Sequence, residues 1–218
     1  MSTRTRFRTT DGDTAPLGEW LRVPLCFTQW LRAKAGGRRP ELPWIPYPAI
    51  NYLARRIAPA ARALEIGAGM STFWLAARCA DVFSIEANED WFSFLQAEAA
   101  RRGLSNLRLE YRWQADHMCD FRAIPDHSLD LVFVDGGPRL ACIQAALPKL
   151  KAGGLLYVDN TDDAGSDHST KRFLRENAAA TGARLTFFRG LPPATLFINE
   201  GAVLEIARPA PTVLPIRG

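Results

Sequence analysis

Hydrophobic positions along the chain switch between a helical period and the tighter periods of strands, and the switches recur in order. Leu17, Leu21, Leu25 and Leu31, with Trp20 and Trp30, space as a helix over 17–35 that tolerates Pro24. Residues 36–48 hold Gly36, Gly37 and four prolines, which is loop chemistry, and a helix is expected over 48–57. From there strand and helix alternate. Arg62–Ile66 predicts a short strand, 72–79 a helix and 81–86 a second strand. Asn88 is placed to cap a helix whose Phe92, Leu95 and Ala99 share a face, and Gly103 ends it. Leu107, Leu109 and Tyr111 alternate with charged residues, as in a half-exposed edge strand. Residues 129–135 are almost continuously apolar, as in a strand covered on both faces. Pro138 suits the first position of a helix carrying Leu140, Ile143 and Leu147, which Gly153 and Gly154 stop. A buried strand over 155–159, a helix over 170–180 and strands over 184–189, 195–199 and 202–206 complete the pattern, with a glycine turn between the last two. Strands alternating with helices imply a parallel α/β sheet, and the closing pair implies an antiparallel strand at its end.

Length and composition narrow the picture. The 218 residues fit one domain, and 47% hydrophobic with 23% charged residues excludes wholesale disorder. The apolar runs are too short to span a membrane, and the basic N-terminus has no apolar stretch behind it, so a cytoplasmic protein without membrane contact is expected. The net charge of +4 comes from an arginine-rich surface without a basic, aromatic-interleaved stripe, so nucleic acid is not the expected partner. Cys26, Cys79, Cys119 and Cys142 have no metal spacing and are expected to be reduced core thiols. Residues 1–16 are expected to be a frayed basic arm.

In a parallel α/β sheet, ligands bind beyond the carboxyl ends of the strands, so the residues following each strand carry the chemistry. The first strand ends in Glu65-Ile66-Gly67-Ala68-Gly69-Met70-Ser71-Thr72. Gly67 and Gly69 permit a tight turn and close backbone approach. Thr72 departs from the dinucleotide fingerprint, and a carboxylate just before the turn suits a cationic ligand better than a pyrophosphate. The second strand ends in Glu86-Ala87, 19 residues beyond Gly67, where a carboxylate accepts both hydroxyls of a ribose. Asp116 and His117 follow the third strand. Asp135-Gly136-Gly137 follows the fourth and Asp159-Asn160 the fifth. Two adjacent central strands thus deliver two carboxylates and an amide oxygen, a hard donor set suited to Mg²⁺ or a similar cation.

These motifs, in this order over roughly residues 45–207, resemble the class I S-adenosylmethionine (SAM)-dependent methyltransferases. Glu65 to Gly69 is similar to their first motif, Glu86 to their ribose-binding acid, Leu129-Asp-Leu-Val-Phe-Val-Asp135 to their fourth-strand motif, and Leu150-Lys-Ala-Gly-Gly-Leu-Leu to their fifth-strand entry. The resemblance implies a Rossmann-like, seven-stranded, mostly parallel sheet with an antiparallel C-terminal strand, a methyltransferase domain over 46–218 and an N-terminal arm and lid helix over 1–45. It implies SAM held by Glu65, Gly67, Ala68, Gly69, Ser71, Thr72, Glu86, Ala87, Asp116, His117 and Asp135. Asp135, Asp159 and Asn160 resemble the metal triad of catechol-type and macrocin-type O-methyltransferases, and the run 43–50 resembles the segment that precedes the core in small bacterial members. Pro138 stands where catechol-type enzymes carry a catalytic lysine, and the neighbouring Arg139 is a poor base. Ser71 replaces the third glycine. Without a metal, Asp135 is the candidate base, with His168 second. The acceptor is expected to be a small molecule entering past residues 162–166, under a lid of Trp20, Trp30, Trp44 and Tyr47, and a homodimer is possible on this reading. Metal-independent transfer and a non-catalytic scaffold subunit stand as alternatives. Aminopropyl transfer finds no support in the positive charge, and a nicotinamide oxidoreductase none in Glu65 and Thr72.

Overall fold

Seven strands form one sheet in the order β3-β2-β1-β4-β5-β7-β6 in the computed structural model, which describes residues 8–37, 40–162 and 169–208. The strands are β1 Arg62–Ile66, β2 Asp81–Glu86, β3 Leu107–Tyr111, β4 Leu129–Val134, β5 Leu150–Asp159, β6 Arg184–Gly190 and β7 Asn199–Glu205. The first five run parallel, and β7 lies antiparallel between β5 and β6. A 3₁₀ turn, Leu17–Arg22, leads into α1 Val23–Gly36. The remaining helices are α2 Tyr47–Arg56, α3 Met70–Ala76, α4 Glu89–Arg102, α5 Ala115–Met118, α6 Arg139–Ala146 and α7 Ser169–Thr181.

The sheet is covered on both faces, and β4 shows why its sequence reads as an unbroken apolar run. Leu131 and Phe133 join the core with Leu53 of α2, Trp74 and Leu75 of α3 and Cys26 of α1. Val132 and Val134 join the opposite core with Cys142 and Ile143 of α6 and Leu174 of α7. Alternate side chains of one strand therefore fill two different cores. The order in which the chain adds strands to the sheet reverses between β1 and β4, and that switch point opens a crevice beyond their carboxyl ends.

Four expectations are corrected. The expected strand over 195–199 is not formed: one strand, β7, runs through Gly201, and the hairpin with β6 turns at 191–198. Gly201 is required by packing, because a Cβ there would meet the ring and hydroxyl of Tyr157. Cys119 and Cys142 form a disulfide between the end of α5 and α6, while Cys26 and Cys79 are free, buried thiols pushed up to about 11 by desolvation. Pro138 precedes α6 as its N-cap residue. Residues 8–15 are docked, with Thr9 and Ala15 buried; 1–7 lie outside the described residues. Thr10 donates to Asp162 from its N–H (3.0 Å) and hydroxyl (3.1 Å). Asp11 and the buried Glu200 of β7 share Lys171, and Asp13 and Glu200 share Arg189. Among the described residues no helix is long and apolar enough to cross a membrane.

Candidate functional site

The turn after β1 and the turn after β4 touch backbone to backbone. Gly67 has φ +88°, and a Cβ on it would lie 2.8 Å from the Gly136 nitrogen. The N–H groups of Gly67 and Ala68 donate to the Ile85 carbonyl at 2.9 and 3.1 Å, and the Asp135 N–H donates to the Ile66 carbonyl at 2.8 Å. Glycines at 67 and 136 are thus what lets three strand ends converge. Above them lies a cleft of about 300 Å³ lined by Trp44, Ser71, Glu86, Trp91, Met118 and Asp135, with the glycine turn as its floor.

Glu65 is fully buried below the turn. Its Oε2 accepts from the hydroxyls of Thr72 and Ser84, each at 2.6 Å, and its Oε1 is buried without a hydrogen-bond partner. Desolvation raises its pKa to about 7 against the hydrogen bonds that favour the charged form. Thr72 also accepts from the Gly69 N–H at 3.0 Å, so one hydroxyl links the turn to the acid. Glu86 is buried at the end of β2, where its Oε1 accepts from the N–H groups of Ala87 (2.9 Å) and Asn88 (2.7 Å), fixing the carboxylate at the rim of the cleft. Asn88 caps α4 as expected, accepting from the Trp91 N–H, and the Trp91 indole donates to the Ala68 carbonyl.

Asp135 and Asp159 meet across the ends of β4 and β5. Desolvation and the mutual repulsion of the carboxylates raise the Asp135 pKa well above the carboxylate range, and burial raises that of Asp159 to about 6. Asp159 accepts from the Tyr157 hydroxyl at 2.8 Å and from the Asn199 amide at 3.1 Å. Arg139 stands 3.9 Å from Asp135. Its Nε and the Oδ1 of Asn199 are buried without hydrogen-bond partners, so the acid pair is bordered by one unmatched donor and one unmatched acceptor. Asn160 follows in the left-handed region at φ 55°, which an asparagine tolerates.

The structure therefore gathers Gly67, Ala68, Gly69, Ser71, Glu86, Ala87 and Asp135 around one cleft, with Glu65 and Thr72 beneath it and Asp159 and Asn160 beside it. Asp116 and His117 sit exposed on α5, and the side chain of that helix lining the cleft is Met118. His168 and residues 163–166 lie outside the described residues. Of the four aromatic side chains expected as a lid, Trp44 reaches the cleft, Tyr47 donates to Gln29 within the core, Trp20 packs on the core and Trp30 stacks on Phe27. Among the described residues no group of three or more His, Cys, Asp or Glu side chains is placed to hold a metal ion. Sequence reasoning missed Trp91, Met118, Tyr157 and Asn199. Tyr157 was the most accessible of these, lying two residues before Asp159 on the same face of a strand.

Residues 64–161 match the family model described as a methyltransferase domain. No curated protein matches the chain. Among solved structures, one from Klebsiella pneumoniae described as an O-methyltransferase is 18% identical, with a TM-score of 0.63 over 84% of this chain and 89% of that one. The O-methyltransferase TomG from Streptomyces achromogenes, involved in tomaymycin synthesis and solved with SAM, is 21% identical, with a TM-score of 0.61 over 84% and 90%. An rRNA methylase from Streptococcus thermophilus is 14% identical, with a TM-score of 0.55 over 72% and 94%. At these identities the likeness is one of fold.

Proposed function

We propose that this chain is a class I SAM-dependent methyltransferase that transfers the sulfonium methyl to an oxygen of a small-molecule acceptor. The observation that carries the reading is the pair Asp135 and Asp159, two raised-pKa carboxylates at adjacent strand ends beside the cleft. An attacking hydroxyl must lose a proton, and a carboxylate whose pKa is raised toward neutrality is a better base than an ordinary one. No base is needed at the cofactor itself, so most of the catalysis is positioning, worth about 7–11 kcal/mol in well-oriented systems.

In this reading the cleft holds the cofactor. Glu86 accepts the ribose hydroxyls with the oxygen its backbone bonds leave over. The unpartnered Oε1 of Glu65 takes the positive end of the methionine moiety, directly or through water. Trp44, Trp91 and Met118 supply apolar wall. Replacing Glu86 with alanine is expected to lower affinity for S-adenosylhomocysteine by at least about 100-fold, since charge-assisted bonds contribute about 1.5–3 kcal/mol each. Calorimetric titration measures this, and unchanged affinity removes Glu86 from the site.

Glu65 gives a pH dependence of defined sign. A cation binds its carboxylate form, and with a free-state pKa near 7 that form becomes scarce as pH falls. Affinity for S-adenosylhomocysteine is expected to be about 30-fold weaker at pH 5.5 than at pH 8, with proton release on binding below pH 7. Affinity that is flat across that range would detach Glu65 from the ligand. The unliganded protein runs the other way: the contribution from a raised pKa is present below 4.5 and is lost as pH rises through about 7.

The donor set also fits a divalent cation. The two acids carry buried negative charge that Arg139 meets from 3.9 Å, and Asn160 adds an amide oxygen at the end of β5. A cation there would be held by Asp135, Asp159 and Asn160 and would lower the pKa of an acceptor hydroxyl. Without it the Asp135–Asp159 pair, with Asp135 nearer the cleft, receives the proton. Titration with S-adenosylhomocysteine, followed by turnover of a panel of small hydroxylated compounds with Mg²⁺ or with chelator, tests the proposal. Cofactor binding with metal-stimulated turnover of a hydroxyl acceptor is expected. Cofactor binding with methylation of amines or ribosomal RNA alone would overturn it.

A further inference from the structure

The Cys119–Cys142 disulfide lies outside the cleft, yet it ties together two of the elements that frame it. It joins the residue that ends α5 to the first turn of α6. The two cysteines are 23 residues apart, and the stretch they enclose includes the whole of β4 and the turn Asp135-Gly136-Gly137 at its end. Both attachment points border functional groups. Met118, next to Cys119, is buried, lines the cleft and packs over Gly137, where a Cβ would lie 2.9 Å from the Met118 Cε. Cys142 lies one turn beyond Arg139, which stands 3.9 Å from Asp135.

The tether matters because α5 is a single turn of four residues, too short to be stable by its own backbone bonds. Arg112 donates to the carbonyls of His117 (3.0 Å) and Asp120 (2.8 Å), but these bonds stay within eight residues of sequence and do not fix α5 to β4 or α6. Met118 and Phe121 insert into the core that contains Cys142, and the disulfide sets how deep they sit. The four cysteines are not equivalent. Cys26 and Cys79 are buried, and thiols pushed up to about 11 supply almost no thiolate at neutral pH. Cys119 is half-buried beside the exposed Asp116 and His117, whereas Cys142 is fully buried. An attacking thiolate therefore reaches the Cys119 sulfur, and the Cys142 sulfur is the leaving group.

We propose that the Cys119–Cys142 pair is a thiol–disulfide control site for cofactor affinity, the disulfide form holding Met118 against the cleft and the dithiol form releasing it. The inference rests on the reading of the cleft as the cofactor site. The co-reactant is a dithiol. One of its thiolates attacks the Cys119 Sγ, the bond between the two cysteines breaks, and Cys142 leaves as a thiolate that takes up a proton. The second thiol of the reductant, once deprotonated, displaces Cys119 from the mixed disulfide, and Cys119 takes up a proton in turn. Two electrons and two protons pass to the protein, and the dithiol departs as its own disulfide. A small-molecule disulfide runs the exchange backwards. The reduced form keeps the apolar contacts of Met118 and Phe121, so α5 loosens without melting. If the wall-forming arrangement falls to about a tenth of the reduced population, cofactor affinity falls about 10-fold.

Calorimetric titration with S-adenosylhomocysteine before and after dithiothreitol is expected to show affinity about 10-fold weaker in the reduced protein. Alkylation in denaturant fixes the state of each sample: the disulfide form takes two labels, on Cys26 and Cys79, and the reduced form takes four. Amide hydrogen exchange over 114–121 is expected to speed up about 10-fold on reduction while that of β1 is unchanged. Cys119→Ser, which leaves the buried Cys142 in place, is expected to bind as the reduced wild type does and to ignore dithiothreitol. Equal affinity in the two states, unchanged exchange over 114–121, a variant that still answers to the reductant, or four labels after treatment with glutathione disulfide would each overturn the proposal. Absence of binding in both states would count against the cofactor reading, and the exchange measurement would still decide whether the pair controls α5.

Discussion

Gly67→Ala is expected to abolish cofactor binding and to lower the melting temperature by about 6–12 °C, an effect of about 3 kcal/mol at the slope usual for a chain of this size. Two costs combine. A non-glycine residue at φ +88° is strained by about 1–2 kcal/mol. The new Cβ also lies 2.8 Å from the Gly136 nitrogen and 2.9 Å from the Asp135 carbonyl carbon. Both are backbone atoms, so no rotamer relieves the contact, and the two turns must separate. Asp135 moves with that separation, as does the floor of the cleft. Gly103→Ala is the control, because Gly103 also has positive φ but a Cβ there meets nothing within 4 Å. It is expected to cost about 1 kcal/mol and leave binding intact. Thermal melts and calorimetric titration of the two variants decide the matter: equal losses would mean that conformational strain alone, and not the convergence of turns, is at work.

Asp159→Asn is expected to reduce methyl transfer by about 10²–10⁴-fold, the usual range for loss of a proton-transfer group, while affinity for S-adenosylhomocysteine stays within a few-fold. The same substitution is expected to make the protein more stable above pH 6. Burial raises the Asp159 pKa from 3.8 to about 6, so its favourable contribution is complete below 3.8 and lost as pH rises through about 6. A neutral amide escapes that loss, and a gain on the order of 1–2 kcal/mol at pH 8 follows. The Tyr157 hydroxyl can still donate to the new amide oxygen, and Asn199, whose Oδ1 is unpartnered, can rotate to accept from its nitrogen. In the wild type, turnover is expected to fall as pH drops below about 6, where Asp159 becomes protonated. A variant with normal turnover, or one that loses cofactor affinity and turnover together, would remove Asp159 from the acceptor side of the site.

The central strands and their turns were readable because each is specified locally. An apolar run, a glycine pair and a carboxylate at fixed offsets leave few alternatives, and β1, β2 and β4 appear close to where their residues predict. What escaped is specified across the sheet. Gly201 reads as a turn in one dimension, yet it is a strand residue whose missing side chain makes room for Tyr157 on β5. Cys119 and Cys142 are 23 residues apart, with no spacing signal to pair them. The partners of Asp159 show both cases: Tyr157 shares its strand, whereas Asn199 lies 40 residues on and is brought near by a strand inserted last. The docking of residues 8–15 could not be inferred from charge either, because its counter-ions, Lys171 and Arg189, lie on α7 and β6.

That docking sets an order of events during synthesis. The segment that joins Lys171 through Asp11 is made 160 residues before its partner, and Glu200, which shares the lysine, belongs to a strand made later still. β7 must also enter the sheet between β5 and β6, after β6 has emerged from the ribosome. A nascent chain that has reached the end of β5 already owns the glycine turn, Glu86 and Asp135, but cannot yet close the wall beside Asp159. The docked segment therefore waits for strands made long after it, and the wall beside Asp159 closes once β7 has been made.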